Sequence, residues 1–90
     1  LIPNYPNPFN AGTMLSFTIP SGIPHFAQLD IFNIAGQKIA TPFAAKASPG
    51  HHSVQWDGRS STGLPAASGL YIYRLRTDSA ERRRTMLLLR

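Results

Sequence analysis

Apolar and polar residues alternate in short runs along most of this chain. In the first run, residues 13–19, large apolar side chains recur at every second position, at Leu15, Phe17 and Ile19. Successive side chains of a β-strand point to opposite faces, so this period predicts a half-buried strand. Runs of the same kind cover residues 27–34, 37–43, 51–56, 69–77 and 82–90. No segment combines a sustained helical spacing with capping residues.

Turn-forming sequences separate these runs at short intervals. They are Pro20–Pro24, Asn33–Gly36, Ser48–Gly50 and the longer loop Asp57–Ser68. Pro42 interrupts the third run and predicts that this strand lies at a sheet edge or ends early, because proline has no N–H to donate to a β-ladder. Six or seven short strands within one domain, residues 1–90, predict an all-β fold, an antiparallel β-sandwich.

The entry segment, residues 1–12, is rich in proline and asparagine. Pro6 and Pro8 cannot donate to a ladder, so we expect this segment not to form a central strand. Asparagine side chains can bond to nearby backbone groups in place of a ladder. We expect Tyr5 and Phe9 to pin the segment to the sandwich as a stiff lid over an open sheet edge.

The charge is distributed unevenly along the chain. The net charge of +5 arises entirely after Ala45, mostly near the C-terminal end. This asymmetry can indicate an anionic partner, or a solvated strand face that discourages edge pairing. There is no cysteine, so a disulfide or a thiolate metal site is excluded. The chain does not begin with Met, and we expect it to be part of a longer protein.

The residues give no support for catalysis or for metal and cofactor binding. His51 and His52 are adjacent on a predicted strand, so they face opposite sides and cannot bind one ion together. The four carboxylates form no close pair by spacing, and no serine lies in a nucleophile elbow. Arg59 takes a ligand position of a calcium loop beginning at Asp57, which favours an Asx turn at Asp57-Gly58 but leaves calcium open.

The aromatic residues favour a structural interpretation. Trp56 follows His52 and Val54 on one face of its strand, as a core tryptophan of a sandwich would, although a sugar-stacking platform is an alternative. Nucleic-acid binding needs aromatic and basic residues on one face. Tyr71 and Arg74 lie on opposite faces of their predicted strand, which argues against such binding.

The C-terminal run is apolar on both faces and is bracketed by arginines. Met86 and Leu88 can face the core while Leu87 and Leu89 point the other way. A terminal strand of this kind is either a central strand or one side of an interface. With cations at both ends, it could be bound by an acidic or main-chain groove through strand addition; a plain closing strand is the alternative.

Several motifs follow one another along the chain: Asn7-Pro8-Phe9-Asn10, Gly36, Gly50 with His52, Trp56-Asp57-Gly58, Ser68-Gly69 with Tyr71, and the run from Arg84 to Arg90. This ordered set resembles the C-terminal sorting domain of the bacterial type IX secretion system, an Ig-like sandwich. The resemblance spans the whole chain, with Ala11 in place of a proline and Ser60 in place of a frequent Asp or Asn. The Trp-Asp-Gly portion also resembles the Ig-like domain of the flagellar hook-capping protein.

The resemblance implies a non-catalytic address label fused to an N-terminal passenger protein. It implies transit through the periplasm, recognition by the outer-membrane translocon and removal by a sortase-like protease at the cell surface. No membrane insertion is expected, and a dimer through the last strand stays open. The implied recognition residues are Arg84, Met86, Leu87, Leu88, Leu89 and Arg90. The alternative is a structural or adhesive Ig-like module of an extracellular or hook-capping protein.

Overall fold

The computed structural model describes residues 1–90 and contains seven strands and no helix. The strands are β1 (Ile2–Tyr5), β2 (Thr13–Ile19), β3 (His25–Asn33), β4 (Lys38–Ala47), β5 (Gly50–Trp56), β6 (Gly69–Thr77) and β7 (Glu81–Leu88). They form a three-stranded sheet, β1-β2-β5, and a four-stranded sheet, β4-β3-β6-β7, in which all neighbours are antiparallel. The all-β sandwich predicted from the alternating runs is confirmed. No helix capable of crossing a membrane is present.

The core lies between the two sheets and consists of the residues at every second strand position. In β2, Leu15, Phe17 and Ile19 are buried while the residues between them are partly or fully exposed. In β3, Ala27, Leu29 and Ile31 are also buried, as their spacing predicts, and Asp30 between them is buried on the other face. The inner faces of the two sheets therefore pack against each other through the side chains at alternate strand positions.

The central pair of the larger sheet is regular, whereas its outer strand β4 is not. β3 and β6 pair without a shift from Ala27 opposite Thr77 to Asn33 opposite Tyr71. In β4 the register shifts around Pro42, which lacks the N–H that an uninterrupted ladder would require. The position of β4 at the edge of its sheet agrees with the prediction made from Pro42.

The β3–β4 turn shows how local chemistry sets the sheet connection. Gly36 adopts a φ of +84°, a left-handed conformation that glycine accepts without a steric penalty. The Asn33 side-chain oxygen accepts hydrogen bonds from the backbone N–H groups of Ala35 and Gln37, each at 3.0 Å. The predicted Asn33–Gly36 turn is therefore present.

The entry segment contains a strand that the sequence did not predict. β1 pairs with β2 at the edge of the smaller sheet, where Pro3 needs no ladder donor. The expected anchoring role of Tyr5 is wrong, because this side chain is 80% exposed, whereas Phe9 is buried. Between them the chain crosses towards the larger sheet through two cis X-Pro bonds, Tyr5-Pro6 and Asn7-Pro8.

Candidate functional site

The C-terminal strand β7 lies at one edge of the four-stranded sheet, where it pairs only with β6 along its length. Met86 and Leu88 face the core and are buried, so these two predicted recognition residues are inaccessible on the folded strand. Leu87 is half-buried on the outer face, and Leu89 beyond the strand is 51% exposed. The accessible apolar part of this end is thus Leu87 and Leu89.

The entry motif covers the outer edge of β7 near its C-terminal end. Phe9 N–H donates to the Leu87 carbonyl at 3.0 Å, and Leu89 N–H donates to the Phe9 carbonyl at 2.8 Å. The Asn7 side-chain oxygen accepts from Leu87 N–H at 3.0 Å. Residues 7–9 therefore act as a short parallel partner of β7, because proline supplies no donor and the asparagine side chain contributes in its place.

The motif aromatic residues form one buried cluster beneath this edge. The Trp56 ring makes edge contacts with Phe9 at 5.8 Å and with Tyr71 at 5.5 Å between ring centroids. The Trp56 indole N–H donates to the Arg59 carbonyl at 2.9 Å, and the Tyr71 hydroxyl donates to the Ala67 carbonyl at 2.6 Å. The core assignment of Trp56 is confirmed, since only 3% of this residue is exposed.

Arg90 is bound by the loop between β5 and β6. Its guanidinium donates from Nε to the Ala66 carbonyl and from Nη2 to the Gly58 carbonyl, both at 2.6 Å. Its backbone N–H donates to the Ser68 hydroxyl at 2.9 Å. The same loop contains the predicted Asx turn, in which the Asp57 carboxylate accepts from Arg59 N–H at 3.0 Å. Arg90 therefore fastens the end of the chain to the loop, a role that its sequence position did not indicate.

We expect Gly58→Ala to lower the free energy of unfolding by about 2 kcal/mol or more. Gly58 has a φ of +75°, which alone costs a residue with a Cβ about 1–2 kcal/mol. Its Cβ would also lie 3.0 Å from Arg90 Nη2 and 3.2 Å from the Ala11 carbonyl. Gly63→Ala in the same loop is the control, because Gly63 has a similar φ and open space around it. If urea denaturation showed the same loss in free energy of unfolding for both variants, the close contact with Arg90 would make no contribution.

A buried carboxylate on the outer face of the larger sheet was missed from the sequence. Asp30 is fully buried, although it alternates with core residues, because polar side chains from its neighbours cover it. Its carboxylate accepts from the Thr41 hydroxyl at 2.7 Å and the Arg74 guanidinium at 3.2 Å, and Lys38 lies 3.6 Å away. Gln28 also donates to both carboxylate oxygens. Nothing in the sequence signalled this burial, because the register that places Asp30 opposite Arg74 follows from the pairing of β3 with β6.

Stability should fall on acidification because of Asp30. Burial raises the pKa of Asp30, but the hydrogen bonds from Thr41, Gln28 and Arg74 and the charge of Lys38 outweigh it, so the pKa lies below its ordinary value of 3.8. Because the pKa of Asp30 is lower in the folded than in the unfolded chain, its ionised carboxylate stabilises the fold at pH values above the unfolded pKa. This stabilisation is lost as the pH falls through the folded pKa. The excess stability of the native chain over Asp30→Asn in urea denaturation should therefore shrink as the pH falls from about 5 through the folded pKa. A constant difference would contradict this assignment.

The N-terminal half of β7 exposes three consecutive arginines at the same sheet edge. Arg82, Arg83 and Arg84 are all exposed, and Arg83 forms an ion pair with Glu81 at 2.5 Å. The hydrogen bond from Arg83 lowers the pKa of the exposed Glu81 carboxyl. Beside the edge lies a polar groove of 510 Å³ lined by Pro3, Asn4, Asn7, Arg83, Arg84 and Thr85.

The histidines are placed apart from one another. His51 and His52 pair with Thr18 and Phe17, so they lie on opposite faces as predicted, and His52 stacks on the Phe17 ring at 5.3 Å. His25 begins β3, and its ring Nδ1 lies 2.9 Å from an Asp78 carboxylate oxygen. No group of three or more His, Asp or Glu side chains is arranged to hold a metal ion.

The two antiparallel sheets around one core define an immunoglobulin-like β-sandwich module. The chain belongs to the FlgD Ig-like domain family, whose model matches residues 7–81. The match begins at the entry motif and ends before the arginines of β7. No curated protein matches the chain at a significant level.

Two solved structures have a similar fold. Dimeric latent PorU from Porphyromonas gingivalis has a TM-score of 0.78 and 18% identity over 96% of this chain. PorZ, an essential surface component of the type IX secretion system of the same organism, has a TM-score of 0.61 and 17% identity over 97%. The chain spans 9% and 11% of these proteins, so the likeness concerns the fold of one module.

Proposed function

We propose that this chain is a non-catalytic sorting domain of the type IX secretion system. In this proposal it directs a covalently attached passenger from the periplasm to the outer-membrane translocon. A sortase-like protease then removes it at the cell surface. The similarity in fold to PorU and PorZ supports the proposal, as PorZ is described as a surface component of this system.

The observation that carries the proposal is the exposed basic and apolar end of β7 at a sheet edge. Arg84, Leu87 and Leu89 are accessible there, while Met86 and Leu88 anchor the strand in the core. A receptor can therefore contact the strand without unfolding the domain. Residues 7–9 and the loop that binds Arg90 hold this end in a fixed position.

Fusion to a periplasmic reporter in a host with this secretion system tests the proposal. We expect surface display of the reporter, and periplasmic retention after deletion of Thr85–Arg90. This deletion also removes two core residues, so a variant that leaves the core intact is needed. Arg84→Glu with Leu89→Glu changes only exposed side chains, and most of the reporter should then stay in the periplasm.

Lys46→Glu with Phe26→Glu is the matched control for this pair. These two residues are adjacent across β3 and β4, and Phe26 is 50% exposed, close to the 51% of Leu89. Surface display should survive the control substitutions if β7 is the recognised surface. Continued display of the Arg84→Glu/Leu89→Glu reporter, with a native melting temperature, would refute the proposal.

The family match also favours a second candidate, a structural or adhesive Ig-like module. The matched range, residues 7–81, excludes most of β7, as expected if the shared feature of the family is the sandwich itself. Mass mapping of the mature surface protein separates the two functions. A sorting domain is missing from the mature chain, whereas a structural module remains.

A further inference from the structure

The outer edge of β7 is closed over only half of its length. Leu87 directs both its N–H and its C=O outward, to Asn7 and Phe9. Since backbone groups alternate along a strand, those of Thr85, Arg83 and Glu81 also point to this edge. Thr85 and Arg83 have no backbone partner there, and the Glu81 carbonyl accepts only from the Arg82 side chain.

We propose that this free half-edge, Glu81–Thr85, binds an extended acidic peptide segment of a partner protein by strand addition. This inference deepens the proposed function, on which its biological role rests, by naming the chemistry of the partner. The segment would lie in the polar groove beside β7, between Asn7 and the arginine side chains. Its main chain would pair with the outward groups of Arg83 and Thr85.

The charges select the acidic partner. Arg83 projects from the outer face and Arg84 from the inner face, because adjacent strand residues alternate. Two successive acidic residues on an added strand would therefore each meet one arginine across the new ladder. Opposite charges at directly facing positions stabilise a strand pair, and like charges destabilise it.

The same rule disfavours a second copy of this chain as the occupant. Antiparallel pairing of two β7 edges centred on Arg83 would place Arg83 opposite itself and Arg82 opposite Arg84. Pairing centred on Thr85 would also need the outward backbone groups of Leu87, which are already bonded to residues 7–9. Self-pairing through β7 therefore brings cations together or displaces the entry motif.

Peptide titration of the 90-residue chain tests the inference directly. The probe is a ten-residue peptide with two adjacent glutamates flanked by threonine and valine, measured by fluorescence anisotropy. Binding should weaken with salt and vanish when lysines replace the glutamates. N-methylation of alternate amides should also abolish binding, because main-chain donors are then lost.

Two substitutions at one position separate strand addition from charge attraction alone. Thr85→Pro removes an outward N–H without breaking the β6 ladder, and should abolish binding; Thr85→Ala keeps that N–H and should bind normally. Arg83→Glu with Arg84→Glu should weaken binding roughly tenfold. Lys46→Glu with Phe26→Glu and Ala44→Glu makes the same change in net charge at exposed positions of β3 and β4 and should have little effect.

Two binding results would contradict strand addition at β7. Equal binding of the acidic and lysine peptides, or unchanged binding by a folded Thr85→Pro variant, excludes acidic strand addition. A concentration-dependent dimer that Thr85→Pro abolishes would identify a second copy as the occupant instead. These measurements use no secretion host, so a failure of the sorting proposal leaves them interpretable.

Discussion

Trp56→Ala should destabilise the domain by about 3–5 kcal/mol, the usual cost of removing a large buried aromatic side chain. The substitution removes the contacts with Phe9 and Tyr71 and leaves the Arg59 carbonyl without its indole donor. For a domain of this size the melting temperature should fall by at least roughly 10 °C. Calorimetry is the appropriate measurement, because Trp56 is the only tryptophan and its fluorescence is lost with it.

The Trp56→Ala substitution should also weaken the contact between the entry motif and the edge of β7. Phe9 packs on Trp56 while its backbone pairs with Leu87 and Leu89, so loss of the ring loosens the entry motif. Amide exchange of Leu89 should accelerate more than that of Leu29 in the other half of the sheet. Trp56→Phe, which keeps an aromatic ring, should lose less stability than Trp56→Ala. An unchanged melting temperature in Trp56→Ala would contradict the core assignment.

Asp30→Ala should cost about 3 kcal/mol, the low end of the range for removing one partner of a buried ion pair. The Arg74 side chain is only 19% exposed and would keep its charge without its carboxylate partner. Its guanidinium lies 4.7 Å from the centre of the Phe32 ring, which offsets part of this loss. Lys38 is half exposed and can be solvated by water, so we take the lower value.

Asp78→Ala is the matched control for Asp30→Ala. The Asp78 carboxylate also has a side-chain partner, His25 Nδ1 at 2.9 Å, but the Asp78 side chain is 65% exposed. Exposed pairs contribute about 0–1 kcal/mol, so the control should remain close to the native stability in urea denaturation. If the two variants were equally stable, the Asp30 cluster would have no special structural role.

Much of the fold could be predicted because local patterns carry it. The period of two placed Leu15, Phe17 and Ile19 on the buried face, and it did the same for the third strand. Pro42 indicated an edge strand because it has no N–H for a ladder. Asn33–Gly36 indicated a turn because asparagine bonds to nearby backbone groups and glycine accepts a positive φ. β1 was missed because its four residues contain a proline and show no clear alternation.

The candidate site was only partly predictable, because its geometry depends on contacts between distant residues. The C-terminal run suggested a strand bracketed by cations, and Arg84 is indeed exposed. Arg90 looked similar in sequence, yet its guanidinium is bound by Gly58 and Ala66, more than twenty residues away. Asp30 looked like a solvated residue of an alternating strand, but polar groups from β3, β4 and β6 enclose it.

By itself, the amino-acid sequence determined that the chain forms short antiparallel strands with an apolar face on each side of one core. Alternation and turn chemistry act within a few residues, so they can be read without the fold. Tertiary structure decided which half of β7 is open. That outcome depends on where residues 7–9, some eighty positions from Leu87, meet the strand, and their hydrogen bonds to β7 and the packing of Phe9 on Trp56 fix that contact.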